Sequence, residues 1–209
     1  MDIKRAWEQR LNEVSAVFKT CPELSEGSAS FSFQVLRTYF VNSEGSVVVQ
    51  NRIATRVMLM ASLKAADGME LPLNRDYFAY TPDDLPDNDR MIADARDMIK
   101  RLLALRDAPV ADPYTGPAIL SGPASGVFFH EIFGHRLEGH RLKSGGQTFK
   151  KMVGEQVLPV EFQVYCAPLL ERYADTDLYG HYVYDDEGVK ARRVDNVVNG
   201  VLKEFLMSR

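Results

Sequence analysis

The sequence predicts an α+β chain, rich in antiparallel sheet, with helices packed on the sheets. Three observations carry that expectation. Two apolar stripes recur at helical spacing, Trp7, Leu11, Val14 and Phe18 in one segment and Met91, Ala95, Met98, Ile99 and Leu102 in another. Between them lie two long strand-like runs, about 30–41 and 46–66, joined by the turn signal Asn42-Ser43-Glu44-Gly45. Near the end, Asn199-Gly200 marks a hairpin between 192–198 and 201–206.

The elements follow in order. Residues 2–19 read as a core-facing helix, and 25–30 as a turn. The two strand runs form a meander with a second break at Asp67-Gly68. A polar stretch, 82–89, opens a helix over 90–105. Residues 1–108 thus form one α+β unit, and the Pro- and Gly-rich 108–116 marks the boundary to a second unit, 109–209. That unit starts with a short apolar strand, 117–120. Ser121-Gly122-Pro123 then opens a helix with a capping residue and an early proline. The helix is expected to run to about His140 and to end at 143–146. Asp185-Asp186-Glu187-Gly188 is an acidic turn without EF-hand spacing. The chain stops just after the apolar strand 201–207, so a longer protein is expected.

Composition excludes several classes. The 209 residues are 45% hydrophobic with a net charge of −4, and the pI near 5.6 argues against a nucleic-acid partner. The basic pairs Lys150-Lys151 and Arg192-Arg193 are isolated and read as solvated surface. Cys21 and Cys166 make no disulfide framework, which fits a reducing, cytoplasmic setting. No signal-peptide core and no membrane-spanning run is visible.

The chemistry concentrates in His130-Glu131-Ile132-Phe133-Gly134-His135. Imidazoles bind zinc, a bound zinc lowers the pKa of its water, and a nearby glutamate can take the proton. His130 and His135 are the candidate metal ligands and Glu131 the candidate catalytic base. In H-E-x-x-H the histidines share a helix face; here five positions give about 140° of rotation. Both can reach one metal only if the helix widens or breaks between them, and Gly134 would relieve such a bulge. His140, five residues further on, is a third ligand if the helix ends at Gly139, and otherwise structural or substrate-facing. His181 reads as structural. Asp107, Asp112, Glu138 and Glu155 are candidates to support the histidines, Glu138 foremost by proximity. Gly122-Pro123-Ala124-Ser125-Gly126 is neither a phosphate loop nor a nucleophile elbow.

These residues carry a resemblance. Pro113-Tyr114-Thr115-Gly116-Pro117, Gly126 through His135, and Arg136-Leu137-Glu138-Gly139-His140 resemble the TldD/PmbA family of zinc metallopeptidases, once called modulators of DNA gyrase. Gly146-Gln147-Thr148-Phe149-Lys150, Tyr184 to Gly188, Gly200 to Arg209 and the Asn42–Gly45 turn add to it. The resemblance implies a fold like the family's N-terminal domain. It implies Zn2+ held by His130 and His135, with Glu131 as base. It also implies a third ligand, a cysteine, from a C-terminal β-rich domain that would follow Arg209 and is absent from this sequence. Cys166 does not match that position. Two histidines alone make a poor zinc site, so a low or partial zinc content is expected of these 209 residues. Implied partners are short or unfolded peptides and a second family member, in a homo- or heterodimer. The reading from a different class is a non-catalytic binding or assembly module that pairs with another subunit or regulates a protein partner.

Overall fold

The computed structural model describes residues 3–143 and 149–207. The expected helix end at 143–146, the Gly146-Gln147-Thr148 stretch and Ser208-Arg209 lie wholly or partly outside the described residues. The fold mixes helices with antiparallel sheet, and the chain divides into two compact units with interleaved segments.

The first unit holds residues 1–38, 50–113 and 172–179. Its sheet has the order β1 (Leu24–Val41), β2 (Val47–Lys64), β3 (Glu70–Ala79). Val57, Leu59, Ala61 and Leu63 alternate along β2 and are buried, as a strand with one face on a core requires. Against that face pack α1 (Ile3–Ala16) through Trp7 and Val14, and α2 (Asn88–Arg106) through Met91, Ala95, Met98 and Leu102. The Trp7 ring stacks on Phe31 of β1 at 4.1 Å between centroids. Asp87 caps α2, its side chain accepting from the Arg90 N–H.

Both turn signals act through side chains. Asn42 Oδ1 accepts from the N–H groups of Glu44 and Ser46, with Gly45 at φ +86°. Asp67 Oδ1 accepts from Met69 N–H, with Gly68 at φ +89°. The expected turn at 25–30 is instead part of β1. A Cβ at Gly27 would lie 2.4 Å from Phe18 Cβ, so this glycine lets the strand pass close over the 3-10 turn Phe18–Thr20. Residues 172–179 add the small hairpin β5 (Arg172–Tyr173) and β6 (Thr176–Asp177). Buried Asp177 accepts from the Tyr80 N–H at 2.9 Å and from Arg172.

The second unit holds residues 39–49, 114–171 and 180–209. Its sheet has the order β4 (Val164–Cys166), β7 (Val194–Val198), β8 (Val201–Leu202). Asn199 at φ +50° and Gly200 at φ +76° make the two-residue turn that the sequence predicts. The expected strand over 117–120 does not form: these residues have no regular structure, and Ile119 is fully exposed. No strand among the described residues pairs with this run, and its backbone is left to solvent. The helix α3 (Gly122–Ile132) starts where Ser121 and Pro123 predict, but ends well short of His140. Its end is anchored by Phe133 and Leu137, which join Phe149, Val197, Leu202 and Phe205 in a second core.

Candidate metal centre

The spacing of the two histidines is resolved by a break. Regular helix stops at Ile132; Phe133 adopts φ −125°, ψ −50°, and a 3-10 turn, Gly134–Leu137, follows. The distortion sits at Phe133 and not at Gly134, which corrects the expected role of that glycine. Gly134 has no positive φ, and a Cβ there would meet only Phe129 O at 3.9 Å. The driving force is burial. Phe133 turns into the second core, against Phe129 and Phe149 at 5.1 and 5.3 Å between ring centroids.

The break brings the imidazoles together. The ring centroids of His130 and His135 are 4.5 Å apart. Glu131 lies beside both rings, Oε1 3.9 Å from His130 Nε2 and Oε2 3.6 Å from His135 Nε2. One ligand atom from each of these three residues lies within 4.8 Å of the others. The two imidazoles are zinc donors and the carboxylate stands beside them, so these residues fit two of the ligands and the base that the resemblance implies. His130 and Glu131 are exposed and His135 half-buried, which leaves room for a further ligand or a substrate.

Around this set, Glu138 Oε1 lies 2.6 Å from His135 Nδ1, and Arg141 donates to Glu138 Oε2. The Arg141 guanidinium, followed by the His135 ring, holds the Glu138 carboxyl below its usual value. Among the four candidate supports, Glu138 is thus the one seen beside a histidine; Asp107 instead pairs with Arg106. His140 stays outside the three-residue set, its Nε2 3.7 Å from Glu138 Oε2. His181 Nε2 lies 3.7 Å from Glu171. Cys166, at the end of β4, is not in the set either, and burial pushes its thiol pKa up, away from the thiolate that binds metal. Sequence reasoning missed Arg141, although its place three residues after Glu138 was the available signal. A cavity of about 660 Å³ lies in the first unit, beside Arg56, Asp76, Phe78 and Tyr179, and none of the three clustered residues lines it.

Residues 113–209 match the family described as the PmbA/TldA metallopeptidase C-terminal domain. That stretch, residues 113–209, is similar to the TldD/PmbA family. It is 29% identical over 188 residues to a metalloprotease of Methanocaldococcus jannaschii, covering 87% of this chain and 39% of that one. It is 24% identical to a zinc metalloprotease TldD homolog of Saccharolobus solfataricus, covering 100% of this chain and 46% of the relative. Its fold matches a protein of Bacteroides thetaiotaomicron named as a candidate modulator of DNA gyrase, with TM-score 0.71 over 99% of this chain and 47% of the other, at 14% identity. The chain therefore spans less than half the length of these relatives and of that solved structure. The matched domain is described as C-terminal, whereas the resemblance expects a further β-rich segment after Arg209. Among the described residues no helix is long and apolar enough to cross a membrane.

Proposed function

We propose that the full-length protein is a zinc-dependent peptidase acting on short or unfolded peptides, and that this chain supplies its histidine ligands and its base. The carrying observation is the break at Phe133, which draws His130, Glu131 and His135 into one cluster despite the five-residue spacing. His130 and His135 would hold the metal through their ring nitrogens. When bound there, zinc supplies Lewis acidity for the scissile carbonyl and acidifies a water. Glu131 lies beside both rings and is placed to take a proton from water and to pass it to the leaving amine. The metalloprotease names of the relatives support this reading. A third ligand from outside the described residues, a homo- or heterodimer with a family member and a cytoplasmic location belong to the same proposal.

Glu131→Gln in the full-length protein tests it. Peptide hydrolysis should fall by about 100-fold or more, the usual scale for losing a positioned base, while zinc content and folding stay unchanged. Hydrolysis at the unmutated rate sinks the proposal. One observation favours the second reading, a binding or assembly module. Val127, Phe128 and Ile132 of α3 are exposed, an apolar surface beside the cluster that suits a protein partner. Under that reading Glu131→Gln leaves every property of the complex intact.

A further inference from the structure

Glu138 occupies an unusual place in the backbone. It is the junction between two 3-10 turns, Gly134–Leu137 and Gly139–Leu142, with φ −71° and ψ 108°. Its side chain makes no capping hydrogen bond to the second turn. The backbone on both sides is instead held by the end of the chain: Gly139 N–H donates to Leu206 O at 2.7 Å, and Leu206 N–H donates to Leu137 O at 2.8 Å. The Glu138 carboxylate is thereby free of backbone duty and committed to side chains.

Two donors converge on it. Arg141 Nε donates to Oε2, and Oε1 lies 2.6 Å from His135 Nδ1. A guanidinium Nη of Arg141 also lies 3.3 Å from His135 Nδ1. A guanidinium has no acceptor, and a carboxylate has no donor. The 2.6 Å contact forms when the histidine donates; the 3.3 Å contact from Arg141 needs Nδ1 as acceptor, and the shorter one, to a carboxylate, is the stronger. In that neutral tautomer Nε2 is the lone-pair nitrogen, and Glu131 Oε2 lies 3.6 Å from it.

We propose that Arg141 and Glu138 act in series as positioning residues that fix His135 in its Nδ1–H tautomer and aim Nε2 into the cluster. This rests on the reading of His135 as a metal ligand. Metal-binding histidines are commonly oriented by such a partner on the other ring nitrogen. Here the orienting carboxylate comes from the junction after the histidine's own 3-10 turn and is itself held by an arginine of the next one.

The deciding measurement is the tautomer of His135 in this chain without metal, read from long-range 1H–15N couplings of the imidazole, at a pH well above the ordinary histidine value of about 6.5. The unsubstituted chain should show the Nδ1–H form. Glu138→Ala and Arg141→Met should both move the ring toward the Nε2–H form, Arg141→Met less, and Arg141→Lys should restore part of the effect. Glu138→Gln, whose amide oxygen still accepts, should keep the tautomer, and if Glu138→Ala fails to fold, Arg141→Met carries the test. An Nε2–H ring in the unsubstituted chain, or a tautomer unmoved by folded Arg141→Met and by Glu138→Ala where it folds, overturns the proposal. A Zn2+ titration separates it from the reading beneath it. Glu138→Ala should weaken zinc binding by roughly 10- to 100-fold. Zinc binding that survives His130→Ala/His135→Ala would remove the metal reading while leaving the tautomer result to stand.

Discussion

Asp94 shows what a single carboxylate must do to stay ionised next to a core. It sits on α2, 8% exposed, where burial pushes its pKa up. Three neighbours outweigh that. Tyr77 Oη donates at 2.6 Å, Arg90 Nε at 3.0 Å, and Arg75 lies 3.9 Å away, so the pKa ends below its ordinary value of 3.8. Tyr77 is pushed up in turn, by burial and by the carboxylate it serves. A carboxyl depressed on folding contributes stability that is present above its unfolded pKa and is lost as pH falls through the folded value. The first unit should therefore hold its fold down to pH near 4 and lose stability below it. Tyr77→Phe should cost on the order of 2 kcal/mol near neutrality, the scale of a hydrogen bond to a charged group. It should also move the acid-unfolding midpoint upward. Urea titrations across pH check both, and a midpoint that stays in place would show that Tyr77 does not set the Asp94 pKa.

At the scale of elements, glycines and apolar anchors decide where the chain bends near the metal cluster. Gly139 is fixed by close approach: a Cβ there would lie 2.1 Å from Met207 Sδ and 2.6 Å from the backbone oxygen of Leu206. The sulfur can move, but the Leu206 carbonyl cannot, because it accepts the Gly139 N–H. Gly139→Ala should cost roughly 1–3 kcal/mol as overpacking and loosen the turn that carries Glu138. Phe133→Ala should cost about 3–5 kcal/mol, the scale for emptying a buried phenylalanine site, because Phe133 is 3% exposed within the second core. Thermal melts of both variants test the pair, and a Gly139→Ala variant as stable as its parent would mean that the Leu206 strand can slide. These cases explain which parts of the fold were legible in the sequence. The hairpins were, because Asn42 and Asp67 accept from the N–H groups of their own turns, Asn199 itself takes a positive φ, and so do the neighbouring glycines. The α2 stripe was, because its partners all lie on one face. The path of β1 across Gly27 was not, since the reason is Phe18, a contact from another element. The end of α3 was not, since it depends on Phe133 meeting Phe149 and the β7–β8 hairpin. His130, Glu131 and His135 could be named from spacing and residue type. The Glu138–Arg141 arrangement needed the two 3-10 turns, which no periodicity announces.

For the whole molecule, the division into two units sets where a metal can act. His130, Glu131 and His135 all belong to the second unit, and their scaffold is the Phe133–Phe149–Phe205 core with the β7–β8 hairpin. The core of the first unit is built from α1, α2 and the β1–β3 sheet and contributes no clustered ligand. A ligand that binds only the folded state stabilises by mass action, by about 2.7 kcal/mol at a concentration 100-fold above its dissociation constant. That stabilisation reaches only those openings that disrupt the site. Zinc should then raise hydrogen-exchange protection across the end of α3, the two 3-10 turns that follow it and the β7–β8 hairpin. Protection of the buried amides in α2 and β2 should stay as it was. The pattern should vanish in His130→Ala/His135→Ala and return to the metal-free level on adding a chelator. Zinc protection that instead appeared equally in both units, or persisted in the double variant, would mean that the ion binds elsewhere. The exposed imidazole–carboxylate cluster would then be no more than three polar side chains at a helix end.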